Sequence, residues 1–139
     1  MSIVQGLTNS FKQQILLGEH DLDTDTLKMA LFTAEADLNQ STTAYSTANE
    51  ISGTGYSAGG VTLTGVTVSL SGTTAYVSFT NPTWNPASFT ARCALIYNSS
   101  KSNKSIAVLD FGSDKTTTTS FTVQLPANTA SDALIRISN

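Results

Sequence analysis

Val61-Thr62-Leu63-Thr64-Gly65-Val66-Thr67-Val68-Ser69-Leu70-Ser71-Gly72-Thr73-Thr74-Ala75-Tyr76-Val77-Ser78-Phe79 alternates apolar and hydroxyl side chains. A period of two puts successive side chains on opposite faces of a strand. Val61 and Leu63 share one face, and Val66, Val68 and Leu70 have the opposite parity. The phase flips at Gly65, as a β-bulge would make it do. Ser71-Gly72 predicts a tight hairpin, with Ala75, Val77 and Phe79 on the partner strand. The enclosing stretch, Ile51–Leu109, contains no Asp or Glu. Its Thr and Val content favours strands, and it offers almost nothing for acid/base chemistry.

Working outward, Phe89 to Tyr97 is nearly continuous apolar text and predicts a central strand buried on both faces. Leu27 to Thr33 predicts an earlier strand, with Leu27, Met29 and Leu31 on one face and Lys28, Ala30 and Phe32 on the other. Ser105 to Phe111 returns as a strand, followed by a turn at Gly112-Ser113-Asp114-Lys115. Phe121, Val123 and Leu125 alternate in a further strand, and Ala133 to Ser138 form the last. Asn81-Pro82-Thr83-Trp84-Asn85-Pro86 reads as a turn carrying the only tryptophan. Glu35 to Gly60 is the longest irregular section, of the kind that is usually functional or mobile.

At the N-terminus, Leu7, Phe11 and Ile15 are spaced by four and predict an amphipathic helix. Thr8 or Ser10 is positioned to cap it and Gly18 to end it. Such a helix covers an open end of the sheets or docks on a partner subunit. The fold class expected is mainly β: an antiparallel β-sandwich, Ig-like or jelly-roll-like, with one N-terminal amphipathic helix. A closed barrel is the alternative. The 139 residues form one domain, with a helical arm over 1–18 and the sandwich over 26–139.

Composition narrows function. Charged residues make up 12% of the chain, against roughly 25% in ordinary globular proteins. Low charge suits a surface that neighbours will cover, because charges are costly to desolvate. The net charge of −3 and the scattered basic residues argue against nucleic acid. Lys101 and Lys104 lie close together in a Ser/Asn turn, which reads as a solvated loop rather than a phosphate site. Nothing approaches a membrane span, and the first residues have no signal-peptide pattern, so folding in a host cytoplasm without secretion is expected.

The candidates for chemistry are few. Asp21, Asp23 and Asp25 alternate as in the start of a calcium loop. The sixth position is Thr26 rather than Gly, however, and the twelfth is Phe32 rather than Glu, which favours a solvated connection. His20 is the only imidazole, and Glu19 and Asp21 beside it should favour its charged form. Cys93 sits in an apolar run and reads as a small core residue. The Ser52–Gly60 glycines fit no phosphate-loop pattern. Asp110 is expected to face an edge or to pair with Arg92 or Arg136. Tyr56, Tyr76, Trp84 and Tyr97 supply the rings for an aromatic sugar platform, the basis of a glycan-binding alternative. No catalytic, cofactor-binding or metal-binding residue is assigned, no cofactor is implied, and the expectation is a protein that is not an enzyme.

Thr26-Leu27-Lys28-Met29-Ala30-Leu31-Phe32-Thr33, Asn49-Glu50-Ile51-Ser52-Gly53-Thr54-Gly55-Tyr56 and Ala94-Leu95-Ile96-Tyr97-Asn98, followed by Ala107-Val108-Leu109-Asp110-Phe111-Gly112, resemble a group of small virion proteins of tailed bacteriophages and prophages. The likeness runs from about Leu27 to the C-terminus and leaves out Ile3–Leu17. It implies a structural virion component without catalytic residues. The expected role is a capsid decoration (cement) protein on the outer head surface, bound to the major capsid protein or other virion subunits. Such a protein is a homo-oligomer, dimer or trimer, that binds neither nucleic acid nor membrane. A head–tail adaptor, tail tube or tail-fibre-associated protein is the alternative location.

Overall fold

The computed structural model describes residues 3–138. Strands take 42% of the chain and helices 8%, so the class is mainly β. In chain order the elements are β1 (Gly6–Leu7), α1 (Asn9–Leu16), β2 (Leu27–Phe32), β3 (Val61–Thr62), β4 (Thr67–Ser71), β5 (Thr74–Ser78), β6 (Thr83–Trp84), β7 (Phe89–Asn98), β8 (Lys104–Thr117), β9 (Phe121–Thr122) and β10 (Ile135–Ile137), with a short 3-10 turn at Ser99–Lys101. A five-stranded sheet runs β1-β8-β7-β2-β3, a three-stranded sheet runs β10-β5-β4, and β6 pairs with β9 in a small ribbon. Every pairing of these strands is antiparallel.

The large sheet is buried on both faces. On one face Met29, Leu31, Ala94, Ile96 and Ile106 pack in a core with Val77 and Ile135 of the smaller sheet, Phe11 of α1, and Val123 and Leu125. On the other face Ala30, Phe32, Cys93, Leu95 and Val108 lie under Ala36, Leu38 and Tyr45. The register explains the division, since Met29 pairs with Ile96 and Leu31 with Ala94, while Ala30 pairs with Leu95 and Phe32 with Cys93. Residues 33–50 therefore form a third layer over the sheet. The parity of Leu27–Phe32 is as the sequence predicts, and the expected double burial of the Phe89–Tyr97 strand holds from Cys93 to Tyr97, whereas Thr90 is exposed and Arg92 half-buried at its start.

α1 is shorter than the 1–18 arm. Thr8 is its N-cap, and its hydroxyl accepts from the Phe11 N–H; Leu17 is the C-cap and Gly18 follows. Leu7 is not helical. It pairs with Ala107 as part of β1, so the chain joins the edge of the large sheet before it turns into the helix. Met1 and Ser2, also placed in the arm, lie outside the described residues. α1 packs on β8 and covers the open side of the core with Phe11.

Three sequence expectations are corrected. The phase flip at Gly65 is a change of sheet, not a bulge: β3 pairs with β2, whereas β4 pairs with β5. Both events reverse side-chain parity, so periodicity does not separate them. Gly65 has φ +63, and a Cβ there would stand 2.3 Å from Thr80 Oγ1. Gly112–Lys115 is not a turn, because β8 continues to Thr117. Between the pairs Cys93–Asp110 and Ala91–Lys115 the strand carries extra residues, a bulge where the turn signal lay. The expected Phe121–Leu125 strand shrinks to β9, with Val123 and Leu125 entering the core as irregular chain.

Candidate functional site

The turn after α1 gathers most of the ionisable residues singled out from the sequence. The Lys101 ammonium lies 2.8 Å from both Asp25 carboxylate oxygens, and Lys104 lies 2.7 Å from Glu19 Oε1. The Asn98 amide donates to Asp25 Oδ2 at 2.8 Å and to His20 Nδ1 at 3.0 Å. Nδ1 therefore accepts, and Nε2–H donates to Gln14 Oε1 at 2.8 Å. These partners assign the neutral tautomer. Burial against Phe11 lowers the His20 pKa below its ordinary value, Lys104 lowers it further, and Asp25 and Glu19 only partly oppose them. The expectation of a favoured imidazolium is overturned, because desolvation outweighs the neighbouring carboxylates.

Burial alone would raise Asp25, but hydrogen bonds from Lys101, Asn98 and the Asp21 backbone outweigh it and hold the carboxyl at about 2. The Asp21 carboxylate accepts from the Asp23 N–H at 3.2 Å. The acidic turn thus carries its own cation, the Lys101 ammonium. Among the described residues no group of three or more His, Cys, Asp or Glu side chains is placed to hold a metal ion. Lys101 and Lys104, weighed as a phosphate site, are both committed to carboxylates.

A second polar knot lies under the motif Asn49–Tyr56. The Glu50 carboxylate accepts from the Tyr45 hydroxyl at 2.7 Å, from the Tyr56 hydroxyl and from the Gly59 N–H at 2.8 Å. Tyr56 also accepts from the Leu31 N–H of β2, and the Tyr97 hydroxyl donates to the Gly59 carbonyl at 2.7 Å. The Tyr45 and Tyr97 rings stack at 4.5 Å. Burial, with Glu50 adding to it, raises all three phenols, Tyr97 to about 12. Gly60 follows with φ +81, and a Cβ there would stand 1.7 Å from the Met29 carbonyl oxygen. The long segment is therefore stapled to β2 and β7. Sequence reasoning missed Glu50. The available signal was a single carboxylate at the border of an acid-free stretch flanked by tyrosines.

The aromatic residues do not make an exposed platform. Trp84 and Tyr97 are buried and Tyr56 is half-buried. Tyr56, Trp84, Phe89 and Phe121 pack on one another at ring distances of 5.2–6.5 Å. Tyr76 stands apart on β5 in the smaller sheet. Asp110 pairs with Arg92 at 2.8 Å, the first of the two partners expected, and its Oδ1 also accepts from the Gly112 N–H, which braces the β8 bulge. Cys93 is fully buried, and burial pushes its thiol up to about 12, away from the reactive thiolate.

Part of the surface is apolar. Leu16 and Leu17 at the end of α1, Val68 and Leu70 on β4, and Ile137 on β10 are exposed, Leu16 at 83% and Leu70 at 75%. In the small sheet Val68, Val77 and Ile135 form one cross-strand row and Leu70, Ala75 and Ile137 the next. The inner row reaches the core at Val77 and Ile135, and the outer row projects beyond it. Two clefts, of about 570 and 390 Å³, separate this sheet from α1 and share Ile15, Ile135 and Ile137. No helix among the described residues is long and apolar enough to cross a membrane. Comparison with protein families, with curated proteins and with solved structures finds no match for the chain.

Proposed function

We propose that the chain is a structural subunit of a tailed-phage virion, a capsid decoration protein that holds the outer head surface through protein–protein contacts and performs no catalysis. The observation that carries this reading is the exposed apolar face on β4, β5 and β10. The strands β4 and β5 bear no charge at all, so the face can be covered by another subunit of the assembly, sister or shell, without desolvating ions. The internal ion pairs and the Glu50 knot support the same reading, since they fasten loops to a scaffold instead of converging on a cleft. The likeness of Asn49–Tyr56 to phage virion proteins supplies the setting, and the negative net charge favours protein partners over nucleic acid.

Quantifying the protein in purified virions tests the proposal. A decoration protein is expected at hundreds of copies per particle, with heads that burst at lower temperature once it is removed. A dozen copies or fewer would move it to the tail or the head–tail connector, and absence from the particle would end the reading.

A further inference from the structure

The apolar face between α1 and the small sheet is built like a self-complementary interface, and the charges around it decide what covers it. β4 is an edge strand, paired on one side only with β5. Its sequence, Thr67-Val68-Ser69-Leu70-Ser71, holds no charge, proline or bulge to protect that edge. Next to it, the two clefts flank a ridge made by Ile137. The rim of the larger cleft carries Asp21 and Asp23, and the rim of the smaller one carries Lys12 and Arg136. All four side chains are exposed, and none joins an ion pair among the described residues.

An isologous contact brings the same patch of two copies together, so that each element of one meets a different element of the other. A patch with an acidic rim on one side of an apolar centre and a basic rim on the other meets this requirement. Rotated by a half-turn, the acidic rim of one copy faces the basic rim of its partner, twice over. A partner whose surface bore a single sign of charge would be repelled by one rim. We infer that two copies of this chain associate through the β4–β5–β10 face and the end of α1 about a twofold axis. In this dimer Leu16, Leu70 and Ile137 lie in the dry centre, and Asp21 and Asp23 face Lys12 and Arg136 of the other copy. Its biological sense rests on the assembly role proposed above. Its test uses the purified chain alone, so failure here leaves the virion copy number free to decide that role.

Sedimentation velocity across the micromolar to millimolar range is expected to show a monomer–dimer equilibrium that weakens with added salt. Leu70→Asp and Ile137→Asp, at exposed positions, should each weaken the dimer about thirtyfold or more, as expected of central contacts, with near-ultraviolet circular dichroism unchanged. Asp23→Lys and Arg136→Glu should each impair self-association, and mixing the two variants should restore a dimer, because the altered rims then match. Asp23 suits this test because its carboxylate makes no hydrogen bond among the described residues. A chain that stays monomeric throughout the range would overturn the inference. So would a dimer indifferent to Leu70→Asp and Ile137→Asp, a trimer, or a pair of rim variants that do not rescue each other.

Discussion

His20 lies against Phe11 with both ring nitrogens engaged by side-chain amides, as acceptor from Asn98 and donor to Gln14. Protonation would set an N–H against the Asn98 amide hydrogens and place a charge in a buried site. The folded pKa is below the ordinary 6.5, so the unfolded chain takes up a proton first. His20's contribution is complete above that value and declines as pH falls from it toward the folded pKa. The denaturant midpoint is therefore expected to fall as pH drops below the ordinary 6.5 toward the lowered folded value, and His20→Gln should remove that part of the slope. An unchanged slope in the variant would assign the effect elsewhere. Asp25 acts in another window, its stabilisation being present above its ordinary 3.8 and lost as pH falls through about 2. Gly60 is the second sensitive residue. An added methyl at Gly60→Ala meets the Met29 carbonyl at 1.7 Å with φ +81. The loss expected is about 3 kcal/mol or more, beyond the usual ~1 kcal/mol of a point change, read from chemical denaturation.

Among the elements, the segment from Thr33 to Gly60 depends most on one side chain. Glu50→Ala removes the acceptor for Tyr45, Tyr56 and the Gly59 N–H together. Leaving such donors without a partner costs roughly 1–3 kcal/mol for each that stays buried. Amide exchange should accelerate over residues 36–60 while α1 beyond Asn9, whose N–H donates to the Gln40 carbonyl, keeps its protection. Uniform acceleration across the chain would mean the knot serves global stability and not the local staple. This segment shows where sequence reading stops. Its length and glycines mark it as irregular, but Glu50 is held by Tyr45, Tyr56 and the Gly59 N–H, Tyr56 is tied on to Leu31 of β2 and Gly59 to Tyr97 of β7, and no local pattern links them. By contrast, the end of α1 at Gly18 is legible and its start is narrowed to Thr8 or Ser10, because these residues act on the backbone groups next to them. The second half of β7, from Cys93 on, is legible too, because double burial needs an unbroken apolar run. Leu7 misleads. Its four-residue spacing to Phe11 is helical, yet pairing with Ala107 recruits it to the sheet.

For the whole molecule, the two clusters of core side chains share the large sheet between them. Met29 and Ala30 are neighbours in β2 that point into different clusters, so neither cluster can melt without exposing the other. Unfolding is expected to be a single transition. Trp84 fluorescence, which reports the ribbon and its aromatic cluster, should coincide with far-ultraviolet circular dichroism across a denaturant titration. Separated midpoints would show that the β6–β9 end unfolds as its own unit. A dimer through the β4–β5–β10 face would add a protein-concentration dependence to the midpoint, as mass action requires.

The sequence by itself determined the mainly β class, the antiparallel alternation, the end of α1 at Gly18, the double burial of Cys93–Tyr97 and the low charge of the chain. Each of these depends on local period or on composition. Only the tertiary structure decided that the chain changes sheets at Gly65, that β8 runs on through Gly112, that His20 is neutral, that Glu50 staples the long segment and that the apolar side chains of β4 are left exposed beyond the core. The physical reason is shared. A parity flip, a glycine, an imidazole or a valine has the same local signature in alternative surroundings, and only contacts made by distant parts of the chain choose among them.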